Sequence, residues 1–151
     1  MRLIKFAVIL AFAFALNNST FAASSSIKKV LPQLIDTAGR TSLLPSLYER
    51  DAYQHFLRTH SDQCDGLRFA VLWNAPRGQP LVLRIELRGS NSTELNSTTI
   101  EISVKKTGWF SHWSFLDLRG ADYKKIGNLV GWRATLWDGT KLVAEQKSFL
   151  W

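Results

Sequence analysis

Apolar and polar residues alternate along most of the chain after residue 66. Leu67, Phe69, Val71 and Trp73 take turns with Arg68, Ala70, Leu72 and Asn74. Leu81, Leu83, Ile85 and Leu87 do the same with Val82, Arg84, Glu86 and Arg88. Further on, Ile100, Ile102 and Val104 alternate with Glu101, Ser103 and Lys105, and Val130, Trp132, Ala134 and Leu136 with Gly131, Arg133 and Thr135. Successive side chains of a strand point to opposite faces, so a period of two predicts strands with one face turned to a core. Trp109 to Leu118 reads as an aromatic strand and Leu142 to Trp151 as the last one. Turn chemistry separates them: Pro76, Gly78 and Pro80, a polar stretch from Gly89 to Ser97, Gly108, and a polar, turn-like stretch from Gly120 to Asn128. Asp138-Gly139 between two apolar runs predicts a tight hairpin, because Gly accepts positive φ without cost.

Upstream of residue 67 the period changes. Leu47, Ala52, Tyr53, Phe56 and Leu57 form a helical stripe. Ser46 and Glu49 make a capping box at its start, and Arg58 and His60 suit the dipole at its end. This predicts a helix over 47–60. Residues 23–46 read as an extended segment with a short strand around Leu31, Leu34 and Ile35, interrupted at Pro32 and ended by Gly39.

Six half-polar strands with no helices between them favour antiparallel sheets with one wet face. The expected fold class is mainly β: an immunoglobulin-like antiparallel β-sandwich with one short N-terminal helix, forming a single domain over 47–151. The cysteine pair of antibody domains is absent, and an open barrel is the other arrangement considered. Six such strands fall short of an outer-membrane barrel, whose lipid face would also have to accept Lys147 and Glu145.

The first residues carry a separate signal. Arg2 and Lys5 precede an apolar run from Phe6 to Leu16, then polar Asn17 to Thr20 and the small residues Ala22 and Ala23. That is the layout of a secretory signal peptide over 1–22. An uncleaved anchor is the alternative, but the apolar run is about half of the ~20 residues that span a bilayer. The expected location is therefore outside the cytoplasm, periplasmic or secreted.

Composition adds two constraints. Cys64 is the only cysteine, so the fold stands without an internal disulfide. The net charge of +7 becomes +5 once Arg2 and Lys5 are lost. Such a surface attracts anionic polymers, although Lys and Arg are scattered and form no block.

The most unusual cluster is Trp109-Phe110-Ser111-His112-Trp113. On a strand, Trp109, Ser111 and Trp113 share one face while Phe110 and His112 share the other. Both faces are core only if the strand lies between two layers. Otherwise rings are exposed and can stack on a sugar or a peptide. Trp137 lies opposite to Trp132 by parity and beside Arg133, which makes a second platform; packing on Val143 across the hairpin is the competing reading. The candidate ligand-binding residues are thus Trp109, His112, Trp113, Arg133 and Trp137.

No catalytic or metal-binding residues and no cofactor are assigned, because no motif carries a mechanism. His55 and His60 are five apart, which splays them on a helix. Asp62 and Asp65 near His60 make only a loose ligand set. Cys64 with His60 nearby is the one nucleophile–base pairing worth weighing, as a small hydrolase. Carboxylate pairs drawn from Glu49, Asp51, Asp117 and Asp122 are of a kind any chain offers.

The stretch Gly131-Trp132-Arg133-Ala134-Thr135-Leu136-Trp137-Asp138-Gly139, followed by Leu142 and Phe149, resembles the closing hairpin of bacterial exported immunoglobulin-like or fibronectin-III-like domains. Leu44 to Gln54 looks like part of small exported bacterial proteins of unknown function. The resemblance implies a β-sandwich and bacterial export, and it supplies no site. The expected role is a non-catalytic module that binds an envelope protein or another envelope component, or a glycan through exposed Trp side chains. No specific nucleic acid and no membrane-spanning segment in the mature chain are expected, and the oligomeric state stays open.

Overall fold

The computed structural model describes residues 24–91 and 94–151. The leader assigned to 1–22 lies outside the described residues. The elements in chain order are β1 (Ser26–Asp36), α1 (Leu47–Thr59), β2 (Cys64–Asn74), β3 (Pro80–Asn91), β4 (Glu94–Lys105), β5 (His112–Arg119), α2 (Gly120–Ile126), β6 (Asn128–Asp138) and β7 (Lys141–Lys147). The chain is mainly β. One sheet has the order β1-β2-β5 and the other β4-β3-β6-β7, and every pairing is antiparallel.

The core lies between the two sheets. Phe69, Val71 and Trp73 of β2, Leu83, Ile85 and Leu87 of β3, and Ala134 and Leu136 of β6 are all fully buried there. These are the inward positions that the period of two marks. Trp73 keeps its indole N–H satisfied by donating to Ser114 Oγ at 2.9 Å, as a buried polar atom requires.

The helix is not N-terminal. A complete strand precedes it, and β1 pairs with β2 over nearly its whole length, from Ser26↔Asn74 to Asp36↔Cys64. Residues 26–36 are therefore part of the domain and not a tail outside it. Pro32 does not interrupt this strand, and the reason is geometric. Leu34 N–H, two residues on and pointing the same way, faces the free edge of the sheet, where Gln54 Oε1 accepts it at 2.7 Å. Pro32 thus lacks only an N–H that β2 would not have used. Gln54 also donates to Leu34 O at 2.8 Å and Thr41 O at 2.9 Å. Its carboxamide acts as one residue of a missing neighbouring strand, and α1 closes the edge that would otherwise pair with another chain.

Four other boundaries differ from the expectation. The polar stretch 89–97 is largely strand, since β3 and β4 pair out to Asn91↔Glu94; alternation cannot reveal a strand whose two faces are both polar. Residues 120–126 form a helix, with Asp122 in its first turn, Lys124 and Lys125 in its last, and Gly127 at φ +71 ending it. The aromatic strand begins at His112, not Trp109, because its partner β2 ends at Asn74, one residue past the Trp73↔His112 pair. The last strand stops at Lys147. Ser148 then turns the chain, and Trp151 lies over Arg88 at 4.1 Å while Phe149 is fully exposed. The Asp138-Gly139 hairpin forms as expected, with Asp138↔Lys141 paired and Gly139 at φ +55.

Candidate binding surface

The register of the three-stranded sheet sets out its outer face in rows. Lys29, Leu72 and Trp113 lie side by side; so do Leu31, Ala70 and Phe115, and then Gln33, Arg68 and Asp117. The first two rows are apolar apart from Lys29. Trp113 is 40 % exposed and Phe115 56 %. Arg68 crosses to Asp117 with two hydrogen bonds of 2.8 and 2.7 Å and sits 6.0 Å from the Phe115 ring centre. The bidentate geometry neutralises that pair and fixes the guanidinium beside the ring. Asp117 raises the Arg68 pKa, mainly through that hydrogen bond, so the charge is permanent.

This face continues into the loop before β5. Trp109 is 78 % exposed and Phe110 89 %. They stand past the end of β2, so no strand covers them. Arg77, from the turn between β2 and β3, lies over one face of the Trp109 ring at 3.7 Å, a contact worth ~0.5–1 kcal/mol at an exposed site. Beneath the loop, Lys106 is buried and donates through Nζ to Asn74 Oδ1. Gly78 N–H donates to Lys106 O at 2.9 Å, which ties the loop to the same turn. His112 is exposed at the edge, with its ring 6.0 Å from that of Trp73. The result is a pole of exposed aromatic rings carrying Lys29, Arg77 and His112. Of the two carboxylates that flank it, Asp117 is bound by Arg68 and Asp138 by Gln79.

The five residues singled out in the sequence fall into two groups. Trp109, His112 and Trp113 meet at this pole. Arg133 and Trp137 lie on the outer face of the other sheet and are engaged there. Arg133 pairs with Glu86 at 3.4 Å and with Glu145 at 2.8 Å. Trp137 has Arg84 at 5.3 Å over its ring and donates from Nε1 to Thr135 Oγ1 at 2.9 Å. The bulge between Leu136 and Trp137 sets Leu142, not Val143, opposite Trp137. That face is a lattice of internal contacts. Sequence reasoning missed Phe110, Phe115 and Arg77 as members of the pole. Extending the parity of Trp113 by two residues finds Phe115, whereas nothing in the pattern marks Arg77.

Cys64 and His60 do not face each other through any hydrogen bond. Cys64 is buried, with its sulfur 3.3 Å from Tyr123 Oη and 3.7 Å from Gly66 O. His60 stacks on Phe56 at 4.2 Å and its Nδ1 lies 3.0 Å from both Thr59 Oγ1 and Phe56 O. Asp65 is drawn to Arg119 at 2.9 Å. Among the described residues no three His, Cys, Asp or Glu side chains converge as a metal site would require, and no helix is long and apolar enough to cross a membrane.

The chain matches no protein-family model, no curated protein and no solved structure.

Proposed function

We propose that this chain is an exported, non-catalytic β-sandwich module of immunoglobulin-like type that binds an anionic glycan of the bacterial cell envelope. The observation that carries the reading is the pole at Trp109, Phe110, Trp113 and Phe115, where four exposed rings stand with Arg77 over Trp109 and Lys29 in the row of Trp113. Soluble chains rarely leave such a contiguous aromatic surface bare without a partner. Flat rings stack on sugar faces, and the neighbouring cations attract carboxylates or phosphates on the same polymer. Export is supported by the leader pattern of residues 1–22. The immunoglobulin-like reading is supported by the strand order: first, second and fifth strands in one sheet, third, fourth, sixth and seventh in the other. Two packed antiparallel sheets of this strand order are what such a reading expects, and helix α1 between the first two strands is a departure from it.

The test is a Trp fluorescence titration of the chain lacking residues 1–22 with alginate, a polyuronate, and with phosphorylated lipopolysaccharide core oligosaccharide. Neutral dextran and vesicles of anionic phospholipid run alongside. The expected result is a saturable change with an acidic glycan that the double variant Trp109→Ala/Phe110→Ala weakens on the order of tenfold, one tenfold step being 1.4 kcal/mol. Both residues are exposed, so the variant loses little beyond the Arg77 contact and keeps its stability within ~1 kcal/mol. Silence with every acidic glycan overturns the proposal, and so does binding to vesicles alone, which makes the pole a lipid-surface contact.

A further inference from the structure

At the opposite end of β2 from the aromatic pole, the two sheets are open to solvent. The opening has a simple origin. β7 pairs with β6 only from Arg133 onward, so the first half of β6, from Asn128, has no strand beside it on that side. The gap faces the inner side of β1 and is roofed by the last turns of α1. It forms a cleft of about 550 Å³, within the ~300–1,000 Å³ range of small-molecule sites.

Its walls divide by chemistry. Leu57 of α1, Leu67 of β2 and Leu129 of β6 supply an apolar lining. Arg58 stands at the mouth, exposed, and makes no ion pair among the described residues. Cys64 and Tyr123 lie together within it, sulfur to hydroxyl at 3.3 Å. Among the described residues no carboxylate belongs to the lining. Burial first, and then the contact with Cys64, push the Tyr123 pKa up. The hydroxyl therefore keeps its proton at physiological pH.

From this geometry we infer that the cleft binds a small amphipathic carboxylate, with its apolar body between Leu57, Leu67 and Leu129 and its head group on Arg58. A planar guanidinium without an internal partner fits a carboxylate through two parallel hydrogen bonds. An uncharged apolar ligand would leave that guanidinium unused, and a cation would meet it with repulsion. The site is independent of the glycan surface.

Decanoate and decan-1-ol, which share a chain length and differ in the charged head, are the probes. Binding to the chain lacking residues 1–22 is followed by amide chemical shifts and by the rate at which Cys64 reacts with a maleimide. Decanoate is expected to shift amides of Leu57, Leu67 and Leu129 and to slow the Cys64 reaction. Arg58→Gln, an exposed change that leaves the fold intact, is expected to weaken decanoate on the order of tenfold and decan-1-ol not at all, since only the carboxylate loses a charge-assisted hydrogen bond. Three results overturn the inference. They are no binding of decanoate, equal binding by Arg58→Gln, and shift changes confined to the aromatic pole.

Discussion

Asp36 accepts four hydrogen bonds at the end of β1, from Ala38 N, from Arg40 N and Nε, and from Tyr53 Oη, all between 2.7 and 2.9 Å. These bonds tie the turn after β1 to helix α1. Burial alone would raise the carboxyl pKa. The Arg40 backbone N–H, the Tyr53 hydroxyl and the Arg40 guanidinium outweigh it and hold the value at about 2, below the usual 3.8. A depressed carboxyl stabilises the fold above its unfolded pKa and loses that contribution as the pH falls. Asp36→Asn is therefore expected to cost about 1–2 kcal/mol at neutral pH, reduced from the full value of a charged network because Arg40 is exposed. Denaturant unfolding at a series of pH values checks this: the gap between the two proteins should close between pH 3.8 and about 2. Gln54 is the second residue of this kind. Gln54→Leu leaves Leu34 N–H and the carbonyls of Leu34 and Thr41 without these partners. The expected loss is ~1–3 kcal/mol, with a sharp rise in the hydrogen-exchange rate of the Leu34 amide.

At the scale of elements, one irregularity decides how β6 delivers its side chains. The ladder between β3 and β6 slips where Arg88 faces Gly131 and Gly89 faces Leu129. Val130 is the extra residue of that bulge. The slip turns Leu129 toward the core and leaves Val130 38 % exposed, against the simple alternation. Gly89 lies at the same place because α2 packs directly on it. A Cβ there would sit 2.2 Å from Ile126 O and 2.8 Å from Ile126 Cγ1. Gly89→Ala is expected to destabilise the protein by at least ~2 kcal/mol, since backbone must move to admit the methyl group. Gly108→Ala is the control. A Cβ at that position meets nothing within 4 Å, and its effect should stay within ~0.5 kcal/mol. Thermal denaturation of the two variants side by side gives the comparison.

For the whole molecule, the important fact is the separation of its two surfaces. β2 runs from Cys64 in the cleft to Asn74 under the aromatic loop. Eleven residues of strand at ~3.3 Å each place the two ends about 30 Å apart. Changes at sites this distant, with no shared partners, add independently. Arg58→Gln should leave acidic-glycan binding unaltered, and Trp109→Ala/Phe110→Ala should leave decanoate binding unaltered. Ionic strength separates the two further. The pole is an exposed set of cations, so its affinity for a polyanion should fall steeply as salt is raised. Decanoate affinity should fall less, because part of it comes from apolar burial that salt does not screen.

By itself the sequence determined the β class, the inward residues of β2 and β3, the helix from its capping box, and the Asp138-Gly139 hairpin. Each is a local matter of side-chain period or turn chemistry, and here the local preference agrees with the tertiary setting. It also marked Trp109, His112 and Trp113. Tertiary structure decided everything that depends on which backbone edge faces which neighbour. Pro32 lies inside a strand because its nitrogen points to a free edge, and Gln54 is spent closing that edge. Arg133 and Trp137 are engaged by Glu86, Glu145 and Arg84, residues that pairing alone brings beside them. The cleft exists because β7 is seven residues long and β6 eleven, a mismatch that becomes an opening only once the two sheets are stacked.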